Sequence, residues 1–416
     1  MERLDRLALP VTGVPWSELE RELADAKSGD VDWRHGRSPA FVHFAGDEVL
    51  EVAKDAYRMY FSENGLGLRA FGSLARFESE VVSMGLSLLH GGPDARGAMT
   101  TGGTESIFLA VKAARDRHAA RHPGATAKPT IVLAQSAHPA FSKAAHFMGL
   151  DTVRAPLRAD FTADPEAMAA AIDGRTAMVV GSAPAYPHGV MDPIEALAAA
   201  AAARDVWMHV DACVGGYLVP IAAMLGAPIA PWDFAVPGVV SISADLHKYG
   251  YAAKGASTLF FADEASYAGM AWTFDDWPRG MYKTDTLVGT RAGGAIAAAW
   301  AVMRFLGRAG YLETTRRVLA TRAALGAGVE RLGFRVLGDP QLSILAFGSD
   351  CHAIAGVGAA MQRRGWLTGY TKEPAGIHQM LNLTHEPVVG EYLADLEAAV
   401  AEAAAAPAGG EVRAVY

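Results

Sequence analysis

The chain has 416 residues, room for a large domain and a smaller one, and half of them (51%) are hydrophobic, as in a soluble globular protein. Its net charge of −8 excludes a general nucleic-acid binder, because no basic excess offsets phosphate repulsion. The two cysteines, Cys213 and Cys351, exclude a disulfide framework and fit a reducing compartment.

Residues 1–10 alternate charge with leucine and lack the apolar core of a signal peptide. The longest nearly uncharged stretch, 292–303, is too short to cross a bilayer. A cytoplasmic protein without a transmembrane segment is therefore expected. Residues 1–60 read as an N-terminal arm with one helix over 17–27 and a turn-rich segment. Apolar residues at helical spacing predict further helices over 48–62 and 71–89. From about 98 to 310, short apolar strands alternate with helices. The strands are predicted at 130–134, 152–155, 177–181, 206–210, 239–242 and 257–261, and helices at 105–117, 139–148 and 193–204. This alternation implies an α/β architecture, a mainly parallel sheet covered by helices on both faces. Strands at 334–337 and 342–347 mark a smaller α/β unit near the C-terminus. The expected division is an arm (1–60), a large domain (61–315) and a small C-terminal domain (316–416), with the tail beyond Pro407 frayed.

In such a sheet, ligands gather at the carboxyl ends of the strands. The most informative run there is Ser241-Ile242-Ser243-Ala244-Asp245-Leu246-His247-Lys248-Tyr249-Gly250. It places Lys248 after a β-branched strand, on a glycine-flanked turn, where a lysine loses solvation and becomes a nucleophilic amine. Such a lysine most often forms a Schiff base with pyridoxal 5′-phosphate (PLP), which needs an acidic partner for its ring nitrogen and a phosphate cradle. Thr100-Thr101-Gly102-Gly103-Thr104-Glu105-Ser106 is a glycine turn entering a helix. It suits an anion, with hydroxyls from Thr101 and Thr104, or is an ordinary capped helix. Asp211 closes the strand Trp207-Met208-His209-Val210-Asp211, where a carboxylate needs a cation such as a protonated pyridine nitrogen, unless it caps a helix. His138, just after another strand, stacks on a cofactor ring or is structural. His209 and His247 divide between supporting a site and packing the core. A metal site from His209, Asp211 and His247 explains fewer of these residues, so no metal is expected. No nucleophile elbow, P-loop or complete dinucleotide-binding fingerprint is present.

Together, 100–106, 135–138, Pro187-His188-Gly189, 209–216 and 241–255 resemble the PLP-dependent sphingosine-1-phosphate lyases of the group II decarboxylase superfamily. The run His-Lys-Tyr-Gly-Tyr-x-x-Lys-Gly, from His247 to Gly255, is the most specific part. The resemblance implies a fold-type-I, transferase-like fold and a homodimer with active sites at the subunit interface. It implies PLP bound by Lys248 as the Schiff-base lysine, with Asp211 at the ring nitrogen and His138 on the ring. Gly103, Thr104, Ser243 and His247 would hold the cofactor phosphate. Tyr186 matches a position near the scissile bond, and Lys254 matches the family's second active-site lysine. The implied reaction on this small amine substrate is retro-aldol cleavage of a phosphorylated long-chain amino alcohol to a fatty aldehyde and phosphoethanolamine. Its base is Tyr186, Lys254 or the substrate phosphate. The alternative is decarboxylation, or aldol cleavage, of an amino acid.

The chain departs from the family at its substrate-facing loops. Gly67, in Leu66-Gly67-Leu68-Arg69, stands where the lyases carry a phosphate-binding histidine. Arg279-Gly280-Met281-Tyr282-Lys283-Thr284-Asp285-Thr286 replaces a Gly-Gly-Ile-Tyr-Ala-Ser-Pro-Thr stretch, and Thr290-Arg291-Ala292-Gly293-Gly294 replaces Ser-Arg-Pro-Gly-Gly. The candidate substrate residues are Asn64, Arg69, Arg279, Lys283 and Arg291. Arg69, Arg279 and Lys283 either restore anion recognition or are ordinary surface charges.

Overall fold

Apolar runs without polar alternation have to be covered on both faces, and most of the central strands here are of that kind. In the computed structural model, which describes residues 6–405, they form a seven-stranded sheet. Its members are β1 (Arg96–Thr100), β2 (Thr130–Ala134), β3 (Asp151–Ala155), β4 (Thr176–Ser182), β5 (Trp207–Asp211), β6 (Val239–Ala244) and β7 (Ser257–Phe261). Their spatial order is β1-β7-β6-β5-β4-β2-β3. Pairings from β3 to β6 are parallel, and β7 alone runs against its neighbours.

Alternate residues of one strand feed different cores, as strand geometry requires. Val132, Val179, Met208 and Val210 face one core, while Ile131, Leu133, Met178, Val180 and Trp207 face the other. The helices Gly103–Arg121 and Ala140–Met148 cover the second face; Gly72–Leu88 and Ile194–Ala202 cover the first. A hairpin of β8 (Trp272–Phe274) and β9 (Tyr282–Thr284) pairs apart from this sheet. The C-terminal part is a four-stranded antiparallel sheet of β10 (Arg335–Val336), β11 (Ile344–Gly348), β12 (Gly369–Lys372) and β13 (Ala375–Met380), ordered β10-β11-β13-β12. Helices Ile354–Arg363 and Val389–Ala405 pack over it.

Every strand and helix predicted from hydrophobic pattern is present, with ends shifted by a few residues. Three features were not anticipated. β1, β8–β9 and β12–β13 lack a β-branched apolar run and are strands because a neighbour pairs with them. The division expected at 315/316 falls inside the helical run Gly293–Arg331, which bends at Gly307 (φ 52°) and joins the two parts. The arm helix Trp16–Lys27 forms but buries none of its residues in this chain. The tail beyond Pro407 lies outside the described residues.

After β5 the chain turns so tightly that a Cβ on Gly215 would lie 2.0 Å from the Ala183 carbonyl oxygen. Two backbones meet there, so neither can yield cheaply. Gly215→Ala is expected to destabilise the fold by on the order of 3 kcal/mol, seen as a lower denaturant midpoint. An unchanged midpoint would mean that this approach is not needed for folding.

Candidate active site

Because β7 reverses direction, β1 runs the same way as β2, β4, β5 and β6, and all five carboxyl ends reach one edge of the sheet. Each ends in a polar turn. β1 leads to Gly102 and Gly103, β2 to His138, β4 to Tyr186, β5 to Asp211 and β6 to Lys248. Gly103, Thr104, His138, Tyr186, Asp211, His247 and Lys248 thereby line one cavity of about 390 Å³.

Lys248 is held by a residue the sequence reading passed over. Its Nζ lies 3.0 Å from Asp245 Oδ2, three residues earlier on the same turn. Burial pushes the Lys248 ammonium down, but the Asp245 carboxylate, with Cys213 and Asp211 adding to it, holds the pKa above the ordinary lysine value. Burial likewise pushes Asp245 up, while Lys248 and then His247 pull it down, and the net shift is downward. His247 stands 3.6 Å from the same carboxylate. Cys213 and Asp245 also explain the glycine turn: a Cβ on Gly103 would meet Cys213 Sγ at 2.7 Å and both Asp245 oxygens at 2.9 Å. Asp245 was legible as a carboxylate one turn before the lysine; Cys213 carried no such signal.

The Gly103–Arg121 helix opens onto the cavity with Gly102, Gly103 and Thr104. Thr101 does not contribute a free hydroxyl, because it donates both its N–H (2.7 Å) and its Oγ–H (2.5 Å) to Glu105 Oε2. The other Glu105 oxygen accepts from Leu287 N at 2.9 Å, tying the turn to the loop after β9. Asp211 takes Cys213 N–H at 3.1 Å. Ser243 is fully buried, and its hydroxyl faces Asp211 Oδ1 at 3.4 Å rather than the helix N-terminus. Burial lowers the His138 pKa, and its ring is neutral near pH 7.

The cavity suits PLP. A lysine amine, a strand-end carboxylate and an open helix N-terminus share its wall, matching an aldehyde, a ring nitrogen and a phosphate. Buried His247 Nδ1 finds no hydrogen-bond partner among the described residues, as expected of a donor kept for a ligand.

Lys254 lies outside this wall and donates to the His247 carbonyl at 3.1 Å. Although its surface is open to solvent, desolvation and then the Lys248 charge lower its pKa to about 8. Tyr186 is shared with a second cavity of about 630 Å³ between the arm, the Pro187–His188 loop and β12. Its ring lies 4.8 Å from that of His378.

The proposed substrate residues are not brought to this cavity within one chain. Asn64 Oδ1 accepts the Leu66 and Gly67 N–H groups, both at 3.1 Å, and so shapes its own loop. Arg291 is buried against Glu78 (2.5 and 2.9 Å) and the Met99 carbonyl (2.9 Å). Arg69, Arg279 and Lys283 are exposed. Lys283 and Arg291 instead line a wide depression of about 980 Å³ beside helix Gly72–Leu88.

Residues 75–349 match the family model described as the pyridoxal-dependent decarboxylase conserved domain. A sphingosine-1-phosphate lyase of Oryza sativa subsp. japonica is 39% identical over 404 residues, covering 95% of this chain and 74% of that protein. Sphingosine-1-phosphate lyase 1 of Rattus norvegicus is 39% identical over 398 residues, covering 95% and 70%. The solved structure of a Burkholderia pseudomallei sphingosine-1-phosphate lyase superposes with a TM-score of 0.92 at 38% identity, covering 97% of this chain and 94% of that one. A glutamate decarboxylase from Lactobacillus brevis, at 19% identity and a TM-score of 0.84 over 98% and 97% of the two chains, shares the fold. The fold is thus of type I, as the motifs implied.

The Lys248–Asp245 pair has a checkable pH signature in the cofactor-free protein. Lys248, with a raised folded pKa, contributes stability that is complete below its unfolded value of about 10.4 and fades as pH rises through the folded one. Asp245, with a lowered folded pKa, contributes stability present above about 3.9 and lost on acidification. Between those limits Asp245→Ala should cost on the order of 3 kcal/mol by leaving a buried charge alone. Adding Lys248→Met should recover most of it in urea denaturation; a double variant as unstable as the two losses summed would refute the pair.

Proposed function

The chain belongs to the sphingosine-1-phosphate lyases of the pyridoxal-dependent decarboxylase family, and we propose that it cleaves a phosphorylated long-chain amino alcohol to a fatty aldehyde and phosphoethanolamine. It is a PLP-dependent lyase. The observation that carries the substrate reading is the extent of the kinship: close to 40% identity to named lyases along 95% of the chain, around one lysine cavity.

When bound, PLP supplies the electron sink into which a bond at the amine-bearing carbon breaks. The residue roles are part of the proposal. Lys248 would hold the cofactor's aldehyde end. Asp211 would pair with the ring nitrogen, Gly103 and Thr104 with the phosphate, and His138 would cover a ring face. Lys254 takes the hydroxyl proton, a role supported by a pKa of about 8 that leaves a share of it uncharged at neutral pH. Tyr186, between the two cavities, orients the hydroxyl-bearing chain toward it.

A homodimer belongs to the same proposal. The arm helix leaves Trp16 65% and Leu23 61% exposed, and the β8–β9 segment leaves Trp272 51% and Met281 70% exposed. Apolar patches of this kind mark interaction surfaces, and the Lys283 and Arg291 depression lies against that hairpin. Among the described residues no helix is long and apolar enough to cross a membrane.

Incubation of the PLP-loaded protein with dihydrosphingosine-1-phosphate should release phosphoethanolamine, detected by mass spectrometry. Lys248→Ala should lower the rate by on the order of a thousandfold or more. With Lys254 as base, the wild-type rate should rise with pH through about 8, and Lys254→Met should abolish that limb. No product from a protein that visibly carries PLP would overturn the substrate. A limb retained in Lys254→Met would overturn the base.

Light scattering should give twice the 43.8 kDa chain mass. The pair Trp272→Asp and Met281→Asp should reduce it to one chain; a monomeric wild-type protein would end the dimer proposal.

A further inference from the structure

His209 has no exposed surface and lies two residues before Asp211 on β5, hence on the same face of the strand. Its cross-strand neighbours on β6 are Ser241, opposite His209, and Ser243, opposite Asp211. These side chains form an unbroken line of hydrogen bonds. Trp207 Nε1 donates to Ser241 Oγ at 2.8 Å, and Ser241 Oγ lies 2.7 Å from His209 Nδ1. His209 Nε2 lies 3.2 Å from Ser243 Oγ, which in turn donates to Asp211 Oδ1 at 3.4 Å, the longest link.

The two ends decide the direction of the line. An indole N–H can only donate, and a carboxylate can only accept. Ser241, having accepted from Trp207, gives its own proton to His209 Nδ1. His209 therefore carries its proton on Nε2 and gives it to Ser243, whose proton is left for Asp211. One tautomer satisfies every group. Burial lowers the His209 pKa to about 4, so the ring is neutral through the physiological range and the direction does not reverse. Cys213 adds to the same end: its thiol reaches Ser243 Oγ at 3.4 Å, and its N–H reaches Asp211 Oδ1.

A strand buried on both faces has no need of these polar groups, and each is costly unless paired. Packing alone would be served by an apolar ring against Phe141, which meets His209 edge-on at 5.6 Å. We propose that His209 is a positioning residue for the cofactor: acting through Ser243, it keeps the Asp211 carboxylate aimed at the PLP ring nitrogen. The inference rests on the assignment of Asp211 to that nitrogen. Every dipole of the line points its positive end toward Asp211, which holds the carboxylate oxygen in place.

The test needs no turnover. In cofactor-free protein, nitrogen-15 spectra of labelled histidine should show His209 as the Nε2–H tautomer, unchanged between about pH 5 and pH 8. PLP is then titrated into the cofactor-free wild type, Asp211→Asn, His209→Leu, Ser243→Ala, the His209→Leu/Ser243→Ala double variant and His209→Gln. Each of the two single relay variants should weaken PLP binding by on the order of tenfold. The double variant should be no worse than either, and His209→Gln, which keeps a donor toward Ser243, should retain most of the affinity. Independent, multiplying losses, unchanged affinities or an Nδ1–H tautomer would overturn the proposal. Should His209→Leu fail to fold, Ser243→Ala and the tautomer decide. Weakened binding in Asp211→Asn with none in the relay variants removes the relay alone; full affinity in Asp211→Asn removes the assignment beneath it.

Discussion

A lysine ammonium beside a buried cavity needs a counter-charge, and the 3.0 Å contact between Lys248 and Asp245 supplies it. Much of the structure serves the turn that carries this pair. Tyr249 donates to the Leu381 carbonyl at 2.7 Å, fastening the turn to the C-terminal part. Tyr311, on the bent helix, donates to the Gly250 carbonyl at 3.0 Å. The arm contributes His43, whose ring meets Tyr249 edge-on at 4.8 Å. Segments far apart in sequence therefore converge on one short turn, and the position of the amine depends on all of them.

The two aspartates of the cavity show how one residue type takes different tasks from its surroundings. Asp245 sits against Gly103, where there is no room for a Cβ, and its nearest cation is Lys248. Asp211 is instead backed by N–H and O–H donors from Cys213 and Ser243. The first carboxylate is paired within the chain, and the second lines the cavity with its donors behind it.

The candidate substrate cations lie apart from this centre. Arg291 is committed to Glu78, and Lys283 shares its depression rather than the lysine cavity. The hairpin that carries Lys283 is nonetheless tethered to the cofactor turn, because Glu105 bonds Thr101 with one oxygen and Leu287 with the other. A shift of the hairpin would thus be felt at the glycine turn through a single buried carboxylate.

Hydrophobic period and turn residues are local properties, so the amino-acid order fixes the sheet's apolar strands, the helices between them and which polar residues stand at the strand ends. Lys248, Asp211, His138 and the glycine turn were legible for that reason, and the motif from His247 to Gly255 named the family. Tertiary structure decided what depends on partners distant in the chain. β1 and the β12–β13 pair exist through pairing, and the helix across 315/316 joins parts that composition had divided. Asp245 became the counter-ion only when folding desolvated Lys248, and His209, open between supporting a site and packing the core, became a link toward Asp211 only when β6 was laid beside β5. The candidate cations Arg69, Arg279, Lys283 and Arg291 show the same limit: charge type is written locally, but whether a charge meets a cavity, a carboxylate or water is set by packing.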